Sequence, residues 1–173
     1  MPARAFPTHY PAVPPRVIRA VLLFSALALA AGAARGAELS ITRVFTGWRD
    51  AASFKRVSEY FTGRENTGGQ IVLRTDPAER AGYYFLIRTR QDEALAATIR
   101  LTYFTPDGAE ARVVTFPVQL PPRTAAVNVG LTGAAWPDPD ASAVAWKVDI
   151  LSADGATVLA SEKSYLWDQP AAK

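Results

Sequence analysis

From residue 70 onward the chain alternates apolar and polar positions with a period of two. The runs 70–75, 82–90, 96–104, 111–120, 125–132, 143–151 and 156–167 are rich in β-branched and aromatic residues and read as strands. Residues 41–48 read as one more. Between them the period shifts toward 3.6. Phe54, Val57 and Phe61 recur at helical spacing, with Lys55, Arg56 and Glu59 on the other side. This predicts one amphipathic helix over 51–61, laid by its apolar face on the rest of the fold. Asp50 is its expected N-cap and Gly63 its expected C-cap, and Lys55 and Glu59 form an i,i+4 pair. Seven or eight short strands at turn spacing predict an all-β sandwich or barrel.

Two stretches carry the same turn chemistry. Thr105-Pro106-Asp107-Gly108 and Ser152-Ala153-Asp154-Gly155 each join two strand-like runs. Asp followed by Gly fits a type I turn closed by a glycine in the left-handed region. Two β-hairpins follow, 98–104 with 109–116 and 144–151 with 156–163. Little beyond Asp, Gly and the next Ala matches between the two stretches, so they are recurrent turns rather than a duplication.

In the second hairpin Trp146, Val148 and Ile150 alternate with Lys147 and Asp149, giving one dry and one wet face. The strand count, the hairpins and the inward Trp146 make 82–167 resemble an immunoglobulin-like or fibronectin-III-like antiparallel β-sandwich. The cysteine pair of antibody domains is missing. The expected organisation is a signal segment over 1–36, a strand, short helix and loop over 37–69 packed on the main domain, and the sandwich over 70–173.

The first segment changes how the charge is read. Arg4, Arg16 and Arg19 precede an apolar run over 20–34, and small residues close it. That order is a secretory signal, with the cut expected before Ala37. The competing reading is an uncleaved anchor, although the run is shorter than the ~20 residues of a spanning helix. Of 19 basic residues four lie in 1–36, which leaves 15 against 16 acidic ones. The basic balance thus belongs to the leader, and a nucleic-acid partner is not expected. Export to a periplasmic or extracellular space is expected, with no stable membrane insertion after cleavage.

The mature part has no Cys and no His, since His9 lies in the leader. Nucleophilic sites built on His, and zinc, haem or iron–sulfur sites built on His or Cys, are therefore excluded. No cofactor and no enzymatic activity are expected. The glycines of 63–69 lack the Lys-Ser/Thr of a phosphate loop, and a strand follows them rather than a helix. Asp138 and Asp140 supply too few oxygens for Ca²⁺, which takes roughly six to eight, and read as a proline-stiffened loop.

An arginine set remains. Tyr84, Arg88 and Arg90 share parity on one strand, Arg100 lies on the next and Arg74 on the one before. If these strands pair in order, Arg74, Tyr84, Arg88, Arg90 and Arg100 share one sheet face. That face is either an anionic-ligand surface or an ordinary solvated one. Among the tryptophans, Trp146 reads as core, Trp48 as packed beside the helix and Trp167 as a pin for the last strand. Trp136 is the one placed to stack a sugar or to anchor its loop. Two functions follow. One is an exported, non-enzymatic interaction or accessory module whose partner is an envelope protein. The other is a carbohydrate-binding module for neutral or anionic extracellular glycans.

Overall fold

The computed structural model describes residues 39–168. The expectations placed on 1–36 lie outside the described residues. Residues 37–173 form a compact unit by themselves, and every member of the buried core belongs to it.

Among the described residues, eight strands make two four-stranded sheets. They are β1 Ser40–Arg49, β2 Ile71–Arg74, β3 Gly82–Gln91, β4 Leu95–Phe104, β5 Arg112–Leu120, β6 Arg123–Thr132, β7 Ala145–Ser152 and β8 Val158–Lys163. The first sheet has the order β1-β3-β6-β2 and the second β5-β4-β7-β8. All pairs are antiparallel except β2 with β6. This is a β-sandwich with one short α-helix, α1 Val57–Thr62. Period-two alternation sends one row of each central strand inward. Phe85 and Ile87 of β3 and Val127 and Val129 of β6 meet Ile99 and Leu101 of β4 and Val148 and Ile150 of β7. All of these are fully buried. Trp146 packs on this core, its ring 5.8 Å from that of Phe85.

The short β2 is tied to β6 through Thr132, whose hydroxyl accepts from Asp76 N (2.9 Å) and whose backbone N–H donates to Thr75 Oγ1 (2.7 Å). These bonds hold a parallel edge strand of only four residues in place.

Several expectations change. The β1 strand is hydrogen-bonded to β3 along its length, so the sandwich begins at Ser40 rather than near residue 70. The strands β3 and β4 do not pair, because the connection 92–94 carries the chain to the opposite sheet. The run 156–167 ends as a strand at Lys163, and Tyr165–Asp168 forms a 3-10 turn that brings the Trp167 ring to 5.8 Å from Phe104.

The predicted helix over 51–61 is broken. Ala51–Phe54 is a 3-10 turn, Lys55 and Arg56 are extended, and only Val57–Thr62 is α-helical. The break lets Phe54 fold onto the sheet while α1 faces elsewhere. Asp50 makes no side-chain cap; its carboxylate accepts from the indole N–H of Trp48 at 3.1 Å. Gly63 does close α1 in the left-handed region, its N–H donating to Glu59 O at 2.8 Å.

Of the two Asp-Gly turns only the second has the expected glycine. Gly155 lies at φ 75°, while Gly108 is not among the positive-φ residues. The connection from β4 to β5 spans 105–111, long enough to reverse direction without one left-handed residue.

Candidate functional site

The segment between β1 and β2 crosses the outer face of the first sheet and covers one end of it. Tyr84 is the floor of this region. It points outward from β3 yet is almost fully buried, because Phe54 lies on it with ring centroids 4.6 Å apart. Its ring sits over Gly130 of β6, where a Cβ would be 2.5 Å away. Its hydroxyl donates to Arg80 O at 2.8 Å and accepts from Arg74 Nε at 2.9 Å. Burial pushes that hydroxyl above its ordinary pKa despite the Arg74 bond.

Arg74 then grips Glu65 with both ends of its fork, at 2.5 and 3.0 Å. Its side chain is only 7 % exposed. A bidentate pair of this kind is among the stronger polar contacts available to a protein. Arg80 binds Glu59 at 2.6 Å and approaches Glu65 at 3.8 Å. The hydrogen bond from Arg80 holds Glu59 below its ordinary carboxylate pKa, and the bond from Arg74 does the same to Glu65. Both carboxylates are therefore held ionised as acceptors and have no proton to donate near neutrality. Lys55, the expected i,i+4 partner of Glu59, is outside α1, and Arg80 takes its place.

This network fastens α1 by its polar side. Glu59 accepts from Asn66 N at 3.0 Å, and Asn66 Nδ2 donates to Ser58 Oγ at 2.8 Å. Asn66 Oδ1 accepts from Gly68 N at 2.9 Å, and the Arg56 guanidinium lies where a Cβ on Gly68 would stand. The glycines of 63–69 thus serve a tight loop that clamps α1.

The apolar side of α1 is left in solvent. Val57 is 74 % exposed, Tyr60 79 % and Phe61 85 %. An amphipathic helix ordinarily buries that face. Here the orientation is inverted: the polar residues face the protein and the apolar ones face out. A shallow cleft of about 190 Å³ lies beside Tyr60, lined by Lys55, Glu59, Gly63 and Arg80.

The arginine set does not gather as expected. Arg74 and Tyr84 belong to the network just described, and Arg88 and Arg90 lie farther along the same outer face, exposed. Arg100 is on the opposite sheet, because β4 does not pair with β3, and it binds Asp149 at 2.8 Å. Trp136 is 3 % exposed and packs on Tyr83 at 4.5 Å and on Tyr103 at 5.9 Å. Its ring is part of the core, so it is not placed to stack a sugar. Asp138 accepts from Asp140 N at 2.9 Å, a local turn bond. Among the described residues, no three His, Cys, Asp or Glu side chains are grouped to hold a metal ion. Among them, too, no helix is long and apolar enough to cross a membrane.

Two features were not read from the sequence. One is the inversion of α1, whose helical spacing predicts a buried stripe. The other is Arg43 and Phe45 on β1, which join Arg88 on the outer face. Their alternation with Val44 is visible in the sequence, but the strand that lies beside them is not.

The fold and this surface define a small β-sandwich domain. No protein-family model matches the chain, and no curated protein matches it in sequence.

Proposed function

We propose that the protein is an exported, non-enzymatic interaction module that docks an envelope protein through α1. The observation that carries this reading is the inversion of the helix. Val57, Tyr60 and Phe61 project into solvent, while Ser58 and Glu59 are bound to the clamp beneath. A six-residue helix is far too short to persist by itself. Its polar clamp therefore holds a preordered apolar surface, and preorder lowers the entropy lost on association. Tyr and Phe at the centre of such a surface are typical anchors of protein interfaces. Lys55, Arg56 and Arg64 are exposed around the apolar residues. The matching partner surface is an apolar groove with an acidic rim.

The basic, apolar and small-residue order of 1–36 supports export to a periplasmic or extracellular space. The strand order supports a fibronectin-III-like reading of the sandwich. With β2 set aside, three strands β1-β3-β6 stand against four, β5-β4-β7-β8.

The test is site-specific photo-crosslinking in the native envelope. A photoreactive residue at Tyr60 is expected to capture one discrete partner, and the same residue at Val113, an exposed site on β5, is not. Binding of the purified partner is then measured with wild type and with Phe61→Ser. A loss of at least about tenfold supports the reading, as expected for a central aromatic anchor. Equal affinity for both proteins overturns it.

A further inference from the structure

Farther along the same sheet face, beyond the part that the crossing segment covers, lies a second surface. Arg43 of β1 and Arg88 of β3 are direct cross-strand partners, and Phe45 is two residues from Arg43 on the same face. The Arg43 guanidinium carbon is 5.4 Å from the Phe45 ring centroid and that of Arg88 is 5.8 Å. Arg90 extends the row, again exposed. Like charges placed directly opposite one another across two strands destabilise a sheet. Nearer the crossing segment Arg74 is neutralised by Glu65 and Arg80 by Glu59. Among the described residues, no carboxylate lies within ion-pairing distance of Arg43, Arg88 or Arg90. Both guanidiniums lie near the Phe45 ring, whose electron-rich face relieves the repulsion in part. Phe45 still keeps 45 % of its surface exposed. On the neighbouring β6, Thr124 and Ala126 stand opposite Arg90 and Arg88, so small side chains leave the arginines open from that side.

We infer that Arg43, Phe45, Arg88 and Arg90 form a binding platform for a carboxylated glycan, a chain of uronate sugars. A row of cations on an open sheet face fits an extended ligand better than a small molecule, which would need a concave site. Guanidinium forks match carboxylates bidentately. The exposed Phe45 ring offers a face to the C–H side of a sugar, which an acidic peptide would not use in the same way. Charge and aromatic surface together select a ligand that carries both features in each repeating unit. This surface is separate from α1, so the two readings stand or fall independently.

The experiment is calorimetric titration of residues 37–173, the compact unit free of the basic leader, with an oligogalacturonate. Maltohexaose and poly-L-glutamate are the neutral and the peptide probes, and each titration is run at low and moderate salt. Oligogalacturonate is expected to bind, more weakly as salt rises, and maltohexaose is not. Arg88→Gln is expected to weaken binding about tenfold and to reduce its salt dependence. Phe45→Ala is expected to weaken it severalfold with the salt dependence kept. Arg112→Gln, on the other sheet, and Phe61→Ser are expected to bind as wild type does. Thermal melts of Arg88→Gln and Phe45→Ala establish that each variant is folded. Absence of oligogalacturonate binding overturns the inference. So does poly-L-glutamate binding to wild type as tightly as oligogalacturonate, with oligogalacturonate binding unchanged by Phe45→Ala, which would make the surface a docking site for acidic peptides.

Discussion

The Tyr84 ring occupies the space that a side chain on Gly130 would fill. The two residues are direct partners across β3 and β6, and a Cβ on Gly130 would stand 2.5 Å from Cε1 and 2.7 Å from Cζ of Tyr84. Gly130→Ala is therefore expected to lift the tyrosine and disturb its bonds to Arg74 and Arg80 and its stacking with Phe54. The expected loss of stability is about 1–3 kcal/mol, the usual range for overpacking. Urea unfolding of residues 37–173 measures it, and a change within error would mean that the ring has room to move.

Phe54 and Phe61 lie seven residues apart and have opposite fates. Phe54 stacks on Tyr84 with two guanidiniums, Arg49 and Arg74, near its ring at 5.7 and 5.3 Å. Phe54→Ala is expected to destabilise by about 1–3 kcal/mol through lost packing. Phe61→Ser and Tyr60→Ser are expected to stay within about 0.5 kcal/mol of wild type, as for surface positions. Denaturant midpoints of the three variants check the contrast. Equal losses at Phe54 and Phe61 would mean that α1 buries its apolar face after all.

Asp149 predicts a specific acid response. Its burial favours the neutral form, but hydrogen bonds from Arg100, Ser161 and Lys147 outweigh this and hold its pKa below 3.8. The distances are 2.8 Å to Arg100, 2.8 Å to Ser161 and 3.1 Å to Lys147. A group whose folded pKa is depressed contributes stability above its unfolded pKa and loses it as pH falls through the folded one. Asp149→Asn is expected to cost about 2 kcal/mol at neutral pH. The difference from wild type is expected to shrink as pH falls below about 4, where the unfolded carboxylate takes up its proton first and the folded one only at lower pH. Unfolding followed from pH 7 downward tests both parts. A difference that is constant with pH would exclude an electrostatic origin.

The two Asp-Gly turns separate under the same substitution. Gly155 sits at φ 75°, where an L side chain is strained, and Gly155→Ala is expected to destabilise by about 1 kcal/mol. Gly108 has no positive φ, and the nearest atom to a Cβ there is 4.0 Å away. Gly108→Ala is expected to change stability by less than about 0.5 kcal/mol. Thermal melts of the pair are sufficient, and equal shifts would show that both turns use the same geometry.

Much of the fold was legible because its signals are local. Alternation over 82–90 reports a strand with one buried row whatever sheet it joins, and β3 follows it closely. The Asp-Gly turns report reversals, and both hairpins pair as expected. The arginine face was legible only in part. Parity placed Arg88 and Arg90 together on β3, but whether Arg100 joins them depends on which strand lies beside β3. The neighbours of β3 are β1 and β6, each tens of residues away along the chain, and nothing local announces either pairing.

The helical stretch shows the same limit in another form. Spacing identifies a stripe of apolar residues, but spacing is silent about what lies opposite the stripe. Glu59 and Ser58 found stronger polar partners in Arg80 and Asn66 than water would provide, and α1 turned that side inward. Trp136 is the converse. A tryptophan beside a proline in a loop reads either as a sugar-stacking ring or as an anchor for the loop, and the core closed over it through Tyr83 and Tyr103.

The chain by itself determined the strands, the hairpins, the lack of Cys and of any His beyond His9, and the near-neutral charge balance of residues 37–173. Each of these depends on neighbouring residues or on composition. Tertiary structure decided which sheet each strand entered, which arginines met a carboxylate and which face of α1 met the solvent. Those outcomes depend on residues far apart in sequence, and the free energy of bringing them together is set by the whole packed arrangement rather than by any single segment.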